Sequence, residues 1–504
     1  MLPQVRKMYH PNIDTVIQET KEGRLVPVFR ELPADLDTPI TLFLKLKNDS
    51  PCFLLESVER GEYQGRYSFI GTNPYLTMRT SSSEAVVSGK FETKKVALAR
   101  FPQGPDPLHV IQSSLEQLPV AEVPGLPRFF GGAVGYLSYD AVHFFEKLDD
   151  CKSDELHLPE SVFLFSDTIV IFDHLMHKIQ VVSVVRPSNN SRDAYQRAID
   201  NIEEVVELLR APLSLDSHHS LPHKRTPKIE SNVSQSKYAQ MVRAAKEYIL
   251  AGDAFQIVIS QRLRRKTSAD SFTIYRALRM LNPSPYMFYL NFGDFQLIGS
   301  SPETLVKLEE GVAETRPIAG TRPRGSDKEQ DKSLELELLA DPKELAEHLM
   351  LVDLGRNDIG RVCDYGSVRL PTFMSVERFS HVMHIVSSVE GKLRNNYDAF
   401  SLMRASFPAG TVSGAPKIRA MDIITELENT RRGPYAGAVG YFGFGGNMDT
   451  CIAIRTIVMK DDTVYLQAGA GIVADSDPLR EYQETLSKVK VMESAINLAE
   501  NWKT

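Results

Sequence analysis

Strand-like and helix-like stretches alternate irregularly along this 504-residue chain, and their order constrains the fold more than any single motif does. Residues 161–185 form two β-rich runs around a polar His/Asp turn, which predicts a hairpin. Residues 192–210 then alternate charged and aliphatic side chains at helical spacing, and another helix is predicted around 235–252. Because the elements show no βαβ regularity, the sequence predicts an α+β fold.

The string GAVGY occurs twice, within residues 131–140 and within residues 437–446. Each copy predicts a glycine-containing strand where backbones or side chains approach closely. Two explanations remain open at this point: a weak internal duplication, or two independent strands with the same packing requirement.

The chain is longer than a usual single core, so two domains or one elaborate core are expected. The segment 211–234 is polar, aperiodic and rich in Ser, Pro and His, which predicts a linker. It would join an amino-terminal region, residues 1–210, to a carboxy-terminal region, residues 235–504.

Charge and composition exclude several classes of protein. The formal net charge is −7, from 65 acidic and 58 basic residues, which gives no reason to expect nucleic acid or an anionic membrane as a partner. No apolar run approaches the roughly 20 residues that span a bilayer, and the first residues show no secretory signal. The four cysteines lack paired spacing, which argues against a zinc site or a disulfide framework. These features predict a soluble cytoplasmic protein.

Two carboxylates and an ammonium are predicted to share one face of a carboxy-terminal helix. Asp477-Pro478 is typical of an N-cap followed by proline at the first helical position. On that helix Glu481, Glu484 and Lys488 fall at i, i+3 and i+7, so their side chains project together. A solvated face with an internal Glu–Lys pair explains the same spacing.

A second helix is predicted to begin at Asp341-Pro342, with Glu344 closing a capping box. Glu347 lies one turn further and has no capping role. If Glu347 faced Glu484 across a cleft, the two carboxylates would suit Mg²⁺, which keeps several waters and accepts a substrate carboxylate. The spacing alone does not establish that meeting.

A glycine-rich string just before the carboxy-terminal helix predicts a turn whose backbone N–H groups approach an anion closely: Gly469, Ala470 and Gly471. The two carboxylates and the ammonium of the helix would therefore project together beside a backbone anion site. The His381 and His384 pair has i, i+3 spacing, which suits a metal on a helix but faces opposite ways on a strand.

Eight segments in a fixed order over residues 235–495 resemble one enzyme family. They are SSPETLV (300–306), RPIAGTRPRG (316–325), ELAEHLMLVDLGRNDIGRV (344–362), ERFSHVMHIVSSVEG (377–391), TVSGAPKIRAM (411–421), GPYAGAVGYF (433–442), CIAIRT (451–456) and AGAGIVADSDPLREYQETLSK (468–488). They resemble the chorismate-utilising enzymes, which form anthranilate, aminodeoxychorismate, isochorismate or salicylate. That resemblance implies antiparallel sheets packed as a β-sandwich with helices outside.

The resemblance also implies a Mg²⁺-dependent active site. Glu347 and Glu484 would bind Mg²⁺, with Glu481 as a nearby acid. Catalytic roles would fall to Glu303 as general acid, to His384, and to Gln256 and Thr411. The residues implied to line the substrate are Gly320, Thr321, Tyr435, Arg455, Gly469, Ala470, Gly471 and Lys488. Arg455 suits a carboxylate by bidentate pairing, and its place in CIAIRTIV predicts an apolar strand.

Two positions distinguish branches of the family. Members that form isochorismate or salicylate carry a water-activating lysine where this chain has Gln256, so ammonia is favoured as the nucleophile. Members that form aminodeoxychorismate typically show PIKGT, whereas this chain has PIAGT with Ala319. Both substitutions favour the anthranilate-forming branch of tryptophan synthesis. An aminodeoxychorismate-forming enzyme and a non-catalytic amino-acid-sensing homologue are the alternatives.

Partners and regulation follow from the same resemblance. The chain shows no glutaminase machinery, which implies a separate glutamine amidotransferase subunit that delivers ammonia within a hetero-oligomer. LLESVE (54–59) and RYSFIG (66–71) resemble the amino-terminal region of the amination enzymes. In the anthranilate branch, a feedback site for tryptophan would contain Ser57, Pro285, Tyr286 and Met287.

Overall fold

The structure is a computed structural model that describes residues 9–502, except 58–64, 91, 102–103, 116–117, 150–152, 214–227 and 380–381. Its α-helices are α1 Ile13–Lys21, α2 Pro39–Leu46, α3 Pro107–Ser114, α4 Ser191–Arg210, α5 Gln235–Leu250, α6 Ser271–Leu281, α7 Lys328–Ala340, α8 Pro342–Gly360, α9 Ala399–Ser406, α10 Gly410–Ser413, α11 Lys417–Leu427 and α12 Pro478–Glu500. A 3₁₀ helix spans Tyr139–Phe144. Within the described ranges, no helix combines the length and apolarity that crossing a bilayer requires.

The strands of the amino-terminal region are β1 Val26–Pro33, β2 Cys52–Glu56, β3 Tyr67–Thr72, β4 Leu76–Thr80, β5 Glu84–Gly89, β6 Thr93–Ala97, β7 Gly132–Leu137, β8 Ser161–Ser166, β9 Thr168–Asp173 and β10 Lys178–Val185. The remaining strands are β11 Glu230–Ser231, β12 Gln256–Lys266, β13 Tyr286–Asn291, β14 Phe295–Ser301, β15 Thr304–Glu309, β16 Val312–Thr315, β17 Ile318–Pro323, β18 Arg369–Arg378, β19 Val382–Lys392, β20 Gly414–Ala415, β21 Ala438–Gly443, β22 Met448–Ile452, β23 Thr456–Lys460 and β24 Thr463–Ile472.

These strands form two large antiparallel sheets. The first has the order β1-β10-β9-β3-β2-β13-β14-β23-β24-β12-β11, with β20 attached to β12. The second has the order β17-β19-β16-β15-β22-β21-β7-β8-β4-β5-β6, with β18 attached to β19. In each sheet the amino-terminal strands form one block and the carboxy-terminal strands form the other. The blocks pair through β2 and β13 in the first sheet and through β7 and β21 in the second, so the two regions share main-chain hydrogen bonding.

The largest apolar core contains side chains from both sheets. Phe53 on β2 and Phe288 on β13 belong to the same cluster as Val134 on β7 and Phe165 on β8. Burying each such phenylalanine contributes about 1.5–3 kcal/mol to the free energy of unfolding. A second cluster joins the first sheet to helices α2, α4, α6 and α12, so these helices cover that sheet. The predicted α+β sandwich with outer helices is confirmed.

The predicted hairpin at 161–185 is only half correct. The polar turn joins β9 to β10, which pair antiparallel as predicted. However, the first apolar run divides at Asp167 into β8 in the second sheet and β9 in the first. Almost every residue of both strands is buried, so the sequence lacks the polar alternation that would mark the crossing between sheets.

The helices predicted at 192–210 and around 235–252 are confirmed as α4 and α5. Most of the predicted linker 211–234 lies outside the described residues, and its role remains a prediction. Cys52, Cys363 and Cys451 are buried free thiols, as their unpaired spacing predicts.

The two GAVGY strings form neighbouring strands, β7 and β21. Gly135 on β7 is directly opposite Gly440 on β21. A Cβ atom at Gly135 would lie 1.9 Å from the Val162 carbonyl oxygen, and one at Gly440 would lie 2.1 Å from that of Asp449. The predicted close approach is confirmed, and it explains glycine at both positions.

Replacing Gly440 with alanine is expected to lower the free energy of unfolding by about 1–3 kcal/mol, because neighbouring backbone must move to admit the methyl group. Gly360→Ala is the matched control, since nothing lies within 4 Å of a Cβ atom there. Chemical denaturation monitored by circular dichroism measures both variants. Equal stability of Gly440→Ala and the wild type would contradict this packing argument.

Candidate active site

A cavity of about 560 Å³ is lined by residues from both sheets and from helices α8 and α12. It gathers nearly all the residues predicted to bind substrate, bind metal or act in catalysis. Those in its wall are Gln256, Glu303, Gly320, Thr321, Glu347, His384, Thr411, Tyr435, Arg455, Gly469, Gly471, Glu481, Glu484 and Lys488. Residues far apart in the sequence therefore meet in one place.

The predicted glycine-rich turn is wrong, and Ala470 does not line the cavity. Residues 469–471 lie within strand β24, whose backbone pairs with β12 through Ser260, Ile259 and Val258. The sheet therefore occupies backbone groups that a turn would offer to an anion. Because side chains alternate along a strand, Ala470 packs on the opposite face, in the apolar cluster that contains Tyr238.

Glycine on the cavity face of β24 makes room for two polar side chains. A Cβ atom at Gly469 would lie 2.8 Å from the Tyr435 hydroxyl, and one at Gly471 would lie 2.5 Å from the Gln256 amide nitrogen. The two glycines thus act by omitting side chains, and Tyr435 and Gln256 occupy the space.

The amino-terminal ends of α8 and α12 position the candidate metal ligands Glu347 and Glu484. Asp477 caps α12 by accepting hydrogen bonds from the backbone N–H groups of the first turn, 2.9 Å from that of Arg480, as predicted. Asp341 likewise caps α8. The capping box is wrong, because the Asp341 N–H donates to Leu338 at the end of α7 and the Glu344 carboxylate accepts from Arg322.

The carboxylates of Glu347 and Glu484 influence one another. Burial raises the pKa of Glu347, the Glu344 and Glu484 charges add to this, and the Gln256 amide, which donates at 3.1 Å, opposes it. The Lys488 ammonium contacts Glu484 at 2.8 Å and donates to the Gly469 carbonyl at 2.9 Å. Glu347 is partly buried and the Glu484 side chain is 49% exposed, and both line the same cavity, where two carboxylates favour a cation.

In the described part of the chain, no group of three or more His, Cys, Asp or Glu residues is arranged to bind a metal. Glu347 and Glu484 would therefore be two oxygen ligands at an open site rather than parts of a closed cage. This donor set fits Mg²⁺, which retains waters and completes its coordination with substrate oxygens. Burial also raises the pKa of the neighbouring Glu481.

Glu303, just before β15, is suited to donate a proton. Its side chain is buried, which raises its pKa to about 8, and the nearby Thr411 and Arg455 only partly oppose this. The carboxyl group is therefore largely protonated at neutral pH. A buried neutral carboxylic acid in a cavity wall is an effective general acid.

His384 on β19 is suited to accept a proton. Its Nδ1 lies 2.8 Å from the Gly320 carbonyl oxygen, so Nδ1 carries the hydrogen and Nε2 keeps its lone pair. Thr321 Oγ1 lies 3.1 Å from the same Nδ1 atom. Burial lowers the pKa of His384, which keeps the ring neutral. His381 lies outside the described residues.

Arg455 is not within a strand, contrary to the prediction. It lies between β22 and β23 with a left-handed backbone, φ 48°, and its carbonyl oxygen accepts from the Ser300 N–H at 3.2 Å. The apolar neighbours in CIAIRTIV suggested one continuous strand, but the chain passes from the second sheet to the first at this point.

The sequence prediction missed some polar residues of the wall, notably Lys343 and Gln467. Gln467 lies two residues before Gly469 on β24, so strand alternation would have placed it on the same face. Lys343 lies in the first turn of α8, one turn before Glu347, and carried no separate signal.

A second cavity, of about 680 Å³, contains the residues predicted to bind a regulatory ligand: Ser57, Pro285, Tyr286 and Met287. The Ser57 hydroxyl is buried and has no hydrogen-bond partner among the described residues. The Tyr286 hydroxyl lies 2.9 Å from Asp449 and 2.9 Å from Thr304. Thr304 follows Glu303 directly, so adjacent residues line the two cavities.

The sequence of this chain matches a family of known enzymes. The family described as chorismate binding enzyme matches residues 50–494. This chain belongs to the chorismate binding enzyme family. The matched range includes residues on both sides of the predicted linker, so the family's fold is not confined to residues 235–504.

Within the chorismate binding enzyme family, two full-length relatives are named anthranilate synthase component 1. The relative from Acetivibrio thermocellus is 46% identical over 98% of this chain and 99% of its own length. The relative from Aquifex aeolicus is 48% identical over 97% of this chain and 98% of its own length.

Two solved structures share the fold of this chain. Anthranilate synthase component I from Streptococcus pneumoniae superposes with a TM-score of 0.75 at 37% identity, covering 92% of this chain and 98% of that one. The menaquinone-specific isochorismate synthase MenF from Escherichia coli gives a TM-score of 0.70 at 18% identity, covering 96% and 98%. The latter likeness concerns the fold alone.

Replacing Glu303 with glutamine is expected to stabilise the fold at neutral pH while abolishing its acid function. A carboxyl whose pKa rises on folding favours the folded state below its unfolded pKa, and this contribution is lost as the pH rises through about 8. The free energy of unfolding of Glu303→Gln should therefore exceed that of the wild type increasingly from pH 5 to pH 8. Denaturant titrations across this range measure it, and a pH-independent difference would exclude a raised pKa.

Proposed function

We propose that this chain is the chorismate-converting component of an anthranilate synthase, which forms anthranilate and pyruvate from chorismate and ammonia. Its full-length similarity to proteins named anthranilate synthase component 1 supports the assignment. This reaction differs from those of other chorismate enzymes in its nucleophile, which is ammonia. The side chains of the cavity wall determine which nucleophile they can orient.

The observation that carries the proposal is the orientation of Gln256. Its amide nitrogen donates to Glu347 at 3.1 Å, which leaves the amide oxygen directed elsewhere. That oxygen is buried and has no hydrogen-bond partner among the described residues. A neutral acceptor at this position suits an N–H of ammonia and cannot deprotonate water. Ala319, also in the wall, offers no nucleophile toward the ring.

The cationic side chains in the wall fit a dicarboxylic substrate. Arg455 presents a guanidinium that matches a carboxylate by paired hydrogen bonds, and Lys488 adds a second positive charge. The Tyr435 hydroxyl is a donor at neutral pH, because burial raises its pKa further above the usual range. These groups would hold the enolpyruvyl and ring carboxylates of chorismate.

Glu347 and Glu484 would hold Mg²⁺. When bound, the ion would supply positive charge that orients and stabilises the ring carboxylate of the substrate. Glu481 lies close enough to Glu484 for their charges to interact, which would add negative potential around the ion.

The protonated Glu303 carboxyl would donate a proton to the departing C4 hydroxyl group. Hydroxide is a poor leaving group, and protonation lets it depart as water while ammonia bonds to C2. The Gln256 oxygen would orient ammonia for this attack. The aminated ring then carries the C2 proton that must leave before the ring becomes aromatic.

His384 would remove that C2 proton through Nε2, since Nδ1 is committed to the Gly320 carbonyl. The enolpyruvyl group leaves with the C–O electrons and is protonated to pyruvate as the ring becomes aromatic. A neutral imidazole is the form that this step requires, and burial favours it.

The direct test is incubation of the purified chain with chorismate, MgCl₂ and an ammonium salt, followed by chromatography and mass spectrometry of the product. Anthranilate with equimolar pyruvate is expected. Aminodeoxychorismate without pyruvate would favour the alternative branch, and unchanged chorismate would favour a non-catalytic sensor. Glutamine alone should give no product until a separate glutamine amidotransferase subunit, the proposed partner in the cytoplasm, is added.

Glu484→Gln is expected to weaken Mg²⁺ binding by at least about tenfold, the lower end of what the loss of groups around a metal costs. Glu493→Gln is the matched control, because Glu493 lies on the same helix outside the cavity wall. Calorimetric titration with MgCl₂ measures the affinity, and the Mg²⁺ dependence of anthranilate formation measures the consequence. Unchanged Mg²⁺ affinity would remove Glu484 from the metal site.

We further propose that tryptophan binds the 680 Å³ cavity and inhibits the enzyme. The buried Ser57 hydroxyl and the apolar ring of Tyr286 suit an amino acid with an indole side chain, whereas the Met287 side chain packs on the other face of β13. The Tyr286 hydroxyl donates to Asp449 and accepts from Thr304, next to Glu303. A ligand that displaces Tyr286 thereby acts on Thr304, the first residue of β15, which directly follows the general acid Glu303.

Ser57→Phe is expected to raise the tryptophan concentration for half-inhibition by roughly tenfold or more, equivalent to about 1.4 kcal/mol of lost binding, because the ring fills the cavity. Ser57→Ala keeps the space and should retain most of the inhibition. Initial rates of anthranilate formation at several tryptophan concentrations measure both variants. Identical inhibition of Ser57→Phe and the wild type would place the tryptophan site elsewhere.

A further inference from the structure

A buried arginine outside the cavity wall contacts several segments that form it. The side chain of Arg432 is 1% exposed and forms a double ion pair with Glu428, at 2.7 and 2.9 Å. Two further N–H groups donate to the carbonyl oxygens of Val412 and Val258, each at 2.7 Å. Both valines line the cavity.

The two valines are neighbours of residues with proposed roles. Val412 follows Thr411, and Val258 lies two residues after Gln256 on β12, so it shares the same face. Arg432 therefore ties the backbone next to Thr411 to the strand that orients Gln256.

The same guanidinium group lies against aromatic rings. It lies 5.7 Å from the ring centre of Tyr435 and 4.6 Å from that of Tyr139. Its partner Glu428 accepts the backbone N–H of Ser260 on β12 at 2.6 Å. The pair thus connects β12, the Thr411 segment and the Tyr435 loop through groups that are withdrawn from water.

We infer that Arg432 is a positioning residue for the proposed reaction, which sets the distance of Gln256 and Thr411 from Tyr435. The planar guanidinium supplies donors in several fixed directions at once. A lysine ammonium keeps the charge but cannot reach Glu428 and both carbonyl oxygens with the same geometry. A displacement of about 1 Å in catalytic groups can cost about 10²-fold in turnover.

The chain offers a matched control for a buried arginine. The side chain of Arg265 is 0% exposed and pairs with Glu500 at 2.7 Å, yet Arg265 is not in the cavity wall. Arg432→Lys and Arg265→Lys should lose comparable thermal stability. Only Arg432→Lys should lose about 10²-fold in kcat/KM for chorismate with ammonium, and its KM should change. A smaller amount of folded protein would lower the measured rate but leave KM unaltered.

A double variant separates positioning from folding. Glu428→Gln with Arg432→Met removes both buried charges, and such replacements commonly leave stability intact. It should fold and still turn over poorly, because the carbonyl contacts are lost. Normal kinetics of Arg432→Lys or of the double variant would overturn the inference, as would an equal kinetic loss in Arg265→Lys.

The inference rests on the proposed function, but different results would contradict the positioning role and the proposed function. If the wild type forms no anthranilate, the proposed function fails, and calorimetric titration with chorismate still tests Arg432. Arg432→Lys should then bind chorismate at least tenfold more weakly than the wild type, with Arg265→Lys unchanged. Equal affinity in all three proteins would overturn the positioning role.

Discussion

The antiparallel pairing of β12 with β24 is the constraint on which the candidate active site depends. It aligns Val258 with Gly471 and Ser260 with Gly469, so the two glycines leave room on the cavity face of the sheet. Gln256 and Tyr435 occupy the space that those glycines leave. The sheet thus provides a rigid base, and the helices α8 and α12 bring acidic groups to it.

Burial is the largest influence on the pKa values of Glu303, Glu347 and His384, ahead of the charges and hydrogen bonds of neighbouring residues. Removing water keeps Glu303 protonated and His384 neutral, so one wall holds both an acid and a base near neutral pH. The same desolvation raises the pKa of Glu347, where an additional cation would restore the charged form. In the proposed mechanism, a single physical effect would therefore prepare proton transfer at two residues and cation binding at a third.

The sequence predicted the local features better than the long-range ones. The start of α12, the caps at Asp341 and Asp477 and the close GAVGY strands follow from local steric rules and were correct. Residues 469–471 were assigned to a turn because glycine favours turns, whereas their pairing with β12 is a tertiary constraint. That Glu347 and Glu484 share a cavity came from family resemblance, since spacing on one helix carries no information about another. Arg432 follows no periodic pattern, and only its contacts reveal it.

Strand β15 begins where the two cavities adjoin, with Glu303 facing one and Thr304 associated with the other. Because these residues are adjacent in the chain, a substitution at either one alters backbone that both cavities share. Substitutions that confer resistance to an inhibitor are therefore expected far from this boundary. Substitutions next to it would change both the inhibition and the catalytic rate. Under the proposed regulation, the fold would therefore couple the strength of inhibition to the catalytic rate.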